Sequence, residues 1–392
     1  MSNLLFKIIV EAIETAPKKR ITFAEYMGLA LYHPQYGYYS SGNVKIGSAG
    51  KDFYTSPYLG ADYGELLAEQ LRDIWLILEK PNPFMLVEMG AGEGILAADI
   101  LNYFQQQEPD LLQVLEYTIV ERSPGLIKAQ QKQLQNWLDR NIKISWKNWE
   151  EIEDNSLVGC CFSNELVDAF PVHLITIAGE EIKEIYLTKD GEYFKEIIGE
   201  LSTPKIKEYF QLVEIDFNPK LYPNGYRTEV NLAALNWIET VAKKLKQGYS
   251  IAIDYGYSAT KYYHPQRSSG TLQCYYQHRR HNNPYSNIGM QDITAHVDFT
   301  ALQNKGSLWG LETIEFTKQS LFLMALGLGD RIADLSSGKY NITELLNRRD
   351  ALHQLIDPSG LGGFGVLIQA KNLTKIQKQQ QLKGLKNPSK VK

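Results

Sequence analysis

Apolar residues recur at helical spacing over the first eighty positions, then give way to short continuous runs. Leu4, Leu5, Ile8, Ile9, Ala12 and Ile13 share one side of a helix ending near Thr15, and a second helix spans 22–31. An aromatic loop follows, with Tyr32, Tyr36, Tyr38, Tyr39, Phe53, Tyr54 and Tyr58 interleaved with Gly37, Gly42, Gly47 and Gly50. Leu66, Leu67, Gln70, Leu71 and Ile74 predict a helix over 63–78, which Pro81-Asn82-Pro83 ends.

From Phe84 the runs 84–87, 117–120, 142–146 and 157–162 read as strands, separated by helices after Gly94 and over 124–138. Strands apolar throughout and alternating with helices predict a buried parallel sheet in an α/β fold. Residues 172–200 break the alternation: isoleucines and a tyrosine between turns at Gly179 and Gly191 read as an inserted β-meander. A helix over 228–246 and a strand over 249–253 resume the pattern. The last strands are expected at 311–316 and 364–369, with a helix at 320–328 between them. The organisation is therefore an N-terminal helical and aromatic region (1–80), a core (81–171), a meander (172–227), more core (228–256), a substrate-side insertion (257–300), the last core strands (301–371) and a tail (372–392). The insertion is long and polar, as functional or disordered loops are. The tail from Lys371 holds seven lysines and no acid, and reads as a solvated, mobile end.

Composition narrows the function. The 392 residues are 44% hydrophobic and 22% charged, ordinary globular proportions. The net charge is −4 and the pI about 6.0, which disfavours a nucleic-acid partner. Tyrosine is abundant, at 24 residues against 14 phenylalanines, and its apolar ring with a polar tip suits a wet cleft. Cys160, Cys161 and Cys274 have no metal-site spacing and no disulfide framework. No apolar run is long enough to span a bilayer. The N-terminus carries Glu11 and Glu14 and no basic leader, so a cytoplasmic protein is expected.

The chemistry starts at Glu88-Met89-Gly90-Ala91-Gly92-Glu93-Gly94, between a strand and a helix. Glycines there allow a tight turn and close approach of a ligand to the backbone. The spacing is G-x-G-x-G, and Ile95 replaces the third glycine of a dinucleotide fingerprint. Glu93 sits where a diphosphate would bind and Glu88 ends the strand; two carboxylates there repel a diphosphate and favour a cation. S-adenosylmethionine, with a sulfonium and an ammonium and no phosphate, fits better than NAD or FAD. Glu121 ends the next strand, where a carboxylate can accept ribose hydroxyls; the connecting helix is longer than in dinucleotide folds.

Two more strand ends carry polar groups: Ser163-Asn164-Glu165 and Asp254-Tyr255-Gly256. Asn164 can hold a substrate nitrogen or the cofactor amino group. Glu165 and Asp168 share a face if a helix begins there; Asp168 and Asp254 also suit helix-start and loop-cap positions. In Asp292-Ile293-Thr294-Ala295-His296-Val297-Asp298, alternate residues would line one face, with His296 as a proton acceptor between carboxylates, or Asp292 as a helix cap. No metal is expected. His278-Arg279-Arg280-His281 is a solvated loop or a place for acidic substrate groups.

On these segments the chain resembles the MidA-like S-adenosylmethionine-dependent methyltransferases. The resemblance also rests on residues 21–27, Tyr36-Gly37-Tyr38-Tyr39, Asp52-Phe53-Tyr54-Thr55-Ser56-Pro57 with Gly64-Glu65, residues 163–171 and Gly270-Thr271-Leu272-Gln273, in order along nearly the whole chain. It implies a Rossmann-like class I methyltransferase fold, with a seven-stranded, mostly parallel sheet, a helical N-terminal region and the inserted meander. It implies S-adenosyl-L-methionine as cofactor, held by Thr55, Ser56, Pro57, Glu88, Gly90, Ala91, Gly92, Gly94, Glu121 and Asn164, with 53–57 as a cover. The family includes a mitochondrial methyltransferase that symmetrically dimethylates an arginine of a respiratory complex I subunit. A protein arginine is accordingly the expected substrate, with Glu165, Asp168 and Asp254 orienting it and His296 taking a proton. A homodimer is compatible with this reading. The alternatives are an assembly chaperone that binds the cofactor without catalysis, and a small-molecule methyltransferase.

Overall fold

The computed structural model describes residues 2–40, 55–277 and 279–386; Gly42, Gly47, Gly50, Asp52, Phe53, Tyr54 and His278 lie outside the described residues. Seven strands form the central sheet: β1 Phe84–Met89, β2 Leu115–Val120, β3 Lys143–Lys147, β4 Leu157–Asn164, β5 Leu245–Asp254, β6 Glu312–Lys318 and β7 Gly365–Lys371. Their order is β6-β7-β5-β4-β1-β2-β3. β1 to β5 pair in parallel, whereas β7 is antiparallel to both β5 and β6, so the sheet is mixed. The chain runs outward from β1 to β3 and then returns to set β4 on the other side of β1. The connections diverge at that seam and leave a crevice beyond the carboxyl ends of the strands.

Both faces of the sheet are covered, which is why its strands read as unbroken apolar runs. Phe84 and Leu86 pack with Leu66, Leu67 and Leu71 of the helix Ala61–Ile77 and with Ile100 and Phe104 of Ile95–Gln107. Val87 and Met89 face the other way, toward Trp237 and Val241 of Leu232–Lys244 and Leu302 of Phe299–Leu308. A second helix, Pro109–Val114, follows Ile95–Gln107 before β2. That pair of helices, rather than one long helix, accounts for the distance in sequence between the glycine loop and Glu121. Cys160, Cys161 and Cys274 are free and buried.

The meander forms a second sheet. His173–Ala178, Glu181–Asp190 and Tyr193–Gly199 pair in succession, and Ile21–Thr22 and Arg227–Val230 join them. The helices Ser2–Thr15 and Phe23–Tyr32 pack on it through Leu5, Ile9, Phe23 and Met27 against Leu174, Ile185 and Leu187. Thr22 and Glu25 close a reciprocal cap at the start of Phe23–Tyr32. The insertion is built on this sheet as a small three-stranded unit, Gln273–Tyr276, Arg279–His281 and Asp292–Thr294. Buried Glu229 ties it down by accepting hydrogen bonds from the backbone of Thr271 and Leu272 and from the Tyr262 hydroxyl.

Three further sequence expectations change. Residues 228–246 are not one helix: Arg227–Val230 is a strand, and Asn231 caps the helix Leu232–Lys244 by accepting from Ala234 N at 2.8 Å. The β-branched Thr228 and Val230 match the edge of the meander, and the apolar spacing simply runs on across the boundary. The tail is not a solvated end through residue 386. Leu382 is 1% exposed, Lys383 N donates to Asp73 at 2.7 Å and Gly384 N donates to Gln70 at 2.8 Å. Its lysines face water while backbone and leucines dock; residues 387–392 lie outside the described residues. Finally, the helix cap in 292–298 is Asp298, not Asp292, and it accepts from Thr300 N and Ala301 N. Among the described residues no helix is long and apolar enough to cross a membrane.

Candidate active site

A cleft of about 1750 Å³ opens over the carboxyl ends of β1, β2, β4 and β5, and residues of the N-terminal region and the insertion close its far side. It is larger than a single small ligand needs.

At one end lies the turn between β1 and Ile95–Gln107. Gly90, Gly92 and Gly94 have φ of 72°, 53° and 84°, the left-handed region that glycine adopts without strain. A Cβ at Gly90 would also come within 2.7 Å of Leu166 Cδ1, so a side chain there would spread the turn from the β4 exit. Gly90, Ala91 and Gly92 line the cleft; Gly94 instead starts the helix and packs on Gln130. Buried Gln130 donates to Gly92 O at 2.8 Å, reaches Glu121 at 3.4 Å and accepts from Trp146 Nε1 at 2.9 Å. It fixes the turn against the end of β2.

Three carboxylates surround this turn. Glu88 is 2% exposed, accepts from the Tyr117 hydroxyl at 2.7 Å and is pushed up to about 7 by burial. Glu121 uses Oε1 to accept from the backbone of Arg122 and Ser123, each at 2.8 Å, and burial raises its pKa. Glu93 accepts from the Tyr58 hydroxyl at 3.0 Å. All three line the cleft, with Arg122 alongside. This donor-poor, acidic set opposes a diphosphate and suits vicinal hydroxyls and a cation, so the residues fit a sulfonium nucleoside.

The segment before the helix Ala61–Ile77 folds over the same end. Thr55 and Pro57 line the cleft. Ser56 does not: it is buried, its N donates to Glu165 at 3.3 Å and its hydroxyl accepts from Gln319 at 3.3 Å. Its place is behind the wall.

Beyond β4 the chain turns sharply at Glu165, whose φ is 50°, into a short helical turn Val167–Ala169. Asn164, held by the Tyr63 hydroxyl, donates to Glu165 at 3.2 Å. Glu165 and Asp168 both line the cleft. Burial, with Asp168 adding to it, pushes Glu165 up to about 8. Burial lifts Asp168 to about 6, opposed by the Tyr255 hydroxyl, which donates to Oδ2 at 2.6 Å. Asp168 Oδ1 is buried without a hydrogen-bond partner. The structure places Asp254 behind the cleft rather than in its lining. Its carboxylate accepts from Val167 N, Asp168 N and Tyr255 N, at 2.9, 3.2 and 2.8 Å, and so shapes the turn that carries Asp168. Burial and its acidic neighbours Asp168 and Glu165 hold its pKa well above the usual range.

His296 lines the cleft between the rings of Tyr255 and Tyr257, at centroid distances of 5.1 and 5.0 Å. Burial, with Arg267 and Arg280 near, lowers it to about 4, so the imidazole is neutral and a weak base. Thr294 and Asp292 also line the cleft, and Tyr39 donates its hydroxyl to Asp292 at 2.7 Å. Tyr32, stacked on Tyr39 at 5.5 Å, closes this side by donating to Ala169 O at 2.9 Å. Sequence reasoning missed Gln130, Tyr63, Tyr117 and Arg267. The tyrosine abundance was the only signal for any of them.

Residues 66–317 match the family model for S-adenosyl-L-methionine-dependent methyltransferases. Three curated relatives carry the name protein arginine methyltransferase NDUFAF7, or its homolog. The Drosophila melanogaster protein is 27% identical, over 92% of this chain and 83% of its own. The Xenopus tropicalis protein is 30% identical over 77% and 70%, and the Homo sapiens protein 28% over 85% and 74%. A crystal structure of a Burkholderia thailandensis protein bound to S-adenosyl-homocysteine superposes with a TM-score of 0.85, at 29% identity, over 98% of this chain and 94% of that one. The three named relatives are all mitochondrial by name, which overturns the cytoplasmic placement drawn from the N-terminus. Acidic residues at Glu11 and Glu14 carry no address, so they never excluded an organelle. With a class I methyltransferase-like α/β fold and an acidic glycine turn at its switch point, the chain belongs to the family of S-adenosyl-L-methionine-dependent methyltransferases, and S-adenosyl-L-methionine is its cofactor.

Proposed function

We propose that this enzyme methylates a guanidinium nitrogen of a protein arginine, with Glu165 and Asp168 holding the acceptor. The observation that carries the proposal is the state of Asp168. One oxygen is pinned by Tyr255, the other is buried and unpartnered, and Glu165 lines the same wall. A buried acceptor without a donor is costly unless a ligand supplies one. A guanidinium is a planar donor set that pairs with carboxylates in just that way. The names of the curated relatives point to the same substrate class.

When bound, the cofactor supplies an electrophilic methyl on a positive sulfur. The residues of this chain do the rest. Gly90, Ala91 and Gly92 give the close backbone approach, Glu121 the acceptor for ribose hydroxyls, and Glu88 and Asn164 the polar surround. Thr55 and Pro57 cover the site and keep water out. Arginine titrates at roughly 12.5–13.8, so its nitrogen is a poor nucleophile until a carboxylate draws on its protons. Asp168 orients the group, and Glu165, with a pKa near the working pH, takes the proton released as the new N–C bond forms. His296 is too weak a base for that step and acts as a neutral wall of the acceptor site.

The test uses labelled S-adenosyl-L-methionine and a complex I subunit fragment, the first substrate the family resemblance suggests. Labelled methylarginine should appear in acid hydrolysates, and Asp168→Asn should abolish it without changing S-adenosyl-homocysteine affinity. Cofactor binding with no label on any arginine would support the non-catalytic chaperone instead.

A further inference from the structure

The acceptor side of the cleft has a second, oppositely charged end. Arg267 and Arg280 line it, next to His296, Tyr257 and Tyr275. Arg267 lies over the Tyr257 ring at 4.4 Å, and Tyr257 touches His296. Arg280 is paired across the hairpin with Tyr275 and is steered by a hydrogen bond to Gln273. Several other arginines of this acidic chain meet carboxylates: Arg72 with Glu108, Arg227 with Glu196, and Arg331 and Arg348 with Asp62. Among the described residues neither Arg267 nor Arg280 has such a partner; their bonds go to Lys261 O and to Gln273. Both are held by neutral groups and both face the same opening. His296 and the rings of Tyr257 and Tyr255 stand between Arg267 and Asp168, and Tyr275 stands in register between Arg280 and Asp292.

A pure arginine site needs no such cations, because they repel the guanidinium. We propose that Arg267 and Arg280 form a subsite for a carboxylate in the substrate segment flanking the methylated arginine, so that the enzyme selects arginines with an acidic neighbour. This rests on the arginine reading above and adds the sequence context. The unlike ends would set the direction in which the peptide lies: guanidinium toward Glu165 and Asp168, carboxylate toward the insertion. Charge-assisted bonds of this kind are stronger and more directional than neutral ones, and complementary charge chiefly provides register and specificity.

The probes are arginine-centred peptides with glutamate, glutamine or lysine at the flanking positions, and one whose only carboxylate is the free C-terminus, compared with its amide. Binding is measured on the protein loaded with S-adenosyl-homocysteine, and turnover with S-adenosyl-L-methionine. The glutamate peptides should bind about tenfold more tightly than the glutamine ones, and Arg280→Gln with Arg267→Gln should erase that difference through KM, so that the two peptide series become equal in KM and any change in kcat is common to both. Arg280→Glu should shift the preference to the lysine peptides, which a merely structural arginine would not do. A gain confined to the free C-terminal peptide assigns the subsite to a chain terminus instead of a side chain and overturns the internal-acid form of the proposal. Equal affinity for glutamate and glutamine peptides overturns it outright. Selective binding of acidic peptides without any turnover would leave the subsite standing and remove the arginine methylation.

Discussion

Tyr255 donates its hydroxyl to Asp168 Oδ2 at 2.6 Å and thereby fixes which oxygen of that carboxylate is left over. Asp254 sets the same turn from behind by accepting the Asp168 and Tyr255 amides. The two acids, though neighbours, thus do different work: one shapes the backbone, the other presents an oxygen. Burial raises Asp168 to about 6 and the tyrosine restrains the rise. The upper break of the acidic limb of the kcat/KM profile belongs to Glu165, at about 8, so Tyr255→Phe should leave that break in place and move the lower, steeper part of the limb to higher pH, by roughly one unit. Asp168→Asn should cost about a hundredfold or more in kcat/KM with the cofactor affinity retained. Rate measurements from pH 5 to 9 on both variants, with calorimetry of S-adenosyl-homocysteine, check this.

Glu165 stands at about 8 in the free enzyme, so it is mostly protonated at pH 7. A guanidinium placed against it favours the ionised form and should expel that proton. Binding of an arginine peptide at pH 7 should release about one proton, seen as a difference in heat between buffers of unlike ionisation enthalpy. Release should fade above pH 9. The sign for stability is the reverse of a salt-bridged acid. The folded pKa lies above the unfolded one, so stability is full below about 4.5 and declines as pH rises toward about 8. Glu165→Gln should then raise the melting temperature by roughly 1–4 °C at pH 8.5 and by little at pH 4. It should lose activity while gaining stability; a variant less stable at both pH values would contradict the burial argument.

Those two carboxylates were readable from the chain because a strand end is a local feature: an apolar run followed by Asn164-Glu165 announces itself. The glycine turn was readable for the same reason. What was not readable depends on contacts far apart in sequence. Asp254 looks like Glu165 in the chain, ending a strand in the same way, yet the fold turns it onto backbone amides. His296 looks like a base between carboxylates; the structure puts it between two tyrosine rings and near two guanidiniums, and it titrates near 4. The strand Arg227–Val230 was lost because its apolar spacing blends into the next helix, and only the meander beside it makes it a strand.

Gln130 is the clearest case of a residue the chain does not advertise. It lies on a polar helix, fully buried, and bonds Gly92 O, Glu121 and Trp146 at once. Removing it leaves a half-buried carbonyl and a half-buried indole N–H without partners, a cost of up to about 1–3 kcal/mol each. Because the bonds to Gly92 and Glu121 end at the glycine turn and just beyond β2, the loss should reach the cofactor. Gln130→Ala should weaken S-adenosyl-homocysteine binding about tenfold, while Gln130→Glu, which keeps the acceptor and loses the donor, should restore the Trp146 bond and not the affinity. Calorimetry on the two variants separates them.

The lysine-rich tail gives the last prediction, and it turns on what the lysines conceal. Lys383 pairs with Glu69 at 2.8 Å, Gly384 donates to Gln70, and Leu382 is 1% exposed against the helix Ala61–Ile77, the same helix whose Tyr63 holds Asn164. The surface ion pair is worth little by itself, at most about 1 kcal/mol. The buried leucine is worth more: Leu382→Ala should destabilise the protein by about 2–5 kcal/mol, as for other core leucines. Lys383→Ala should change stability by under about 1 kcal/mol. Were the tail mobile, the two substitutions would be equally silent. Denaturant unfolding of both variants decides it. A large effect of leucine with a small effect of lysine would make the tail part of the scaffold that positions the active site.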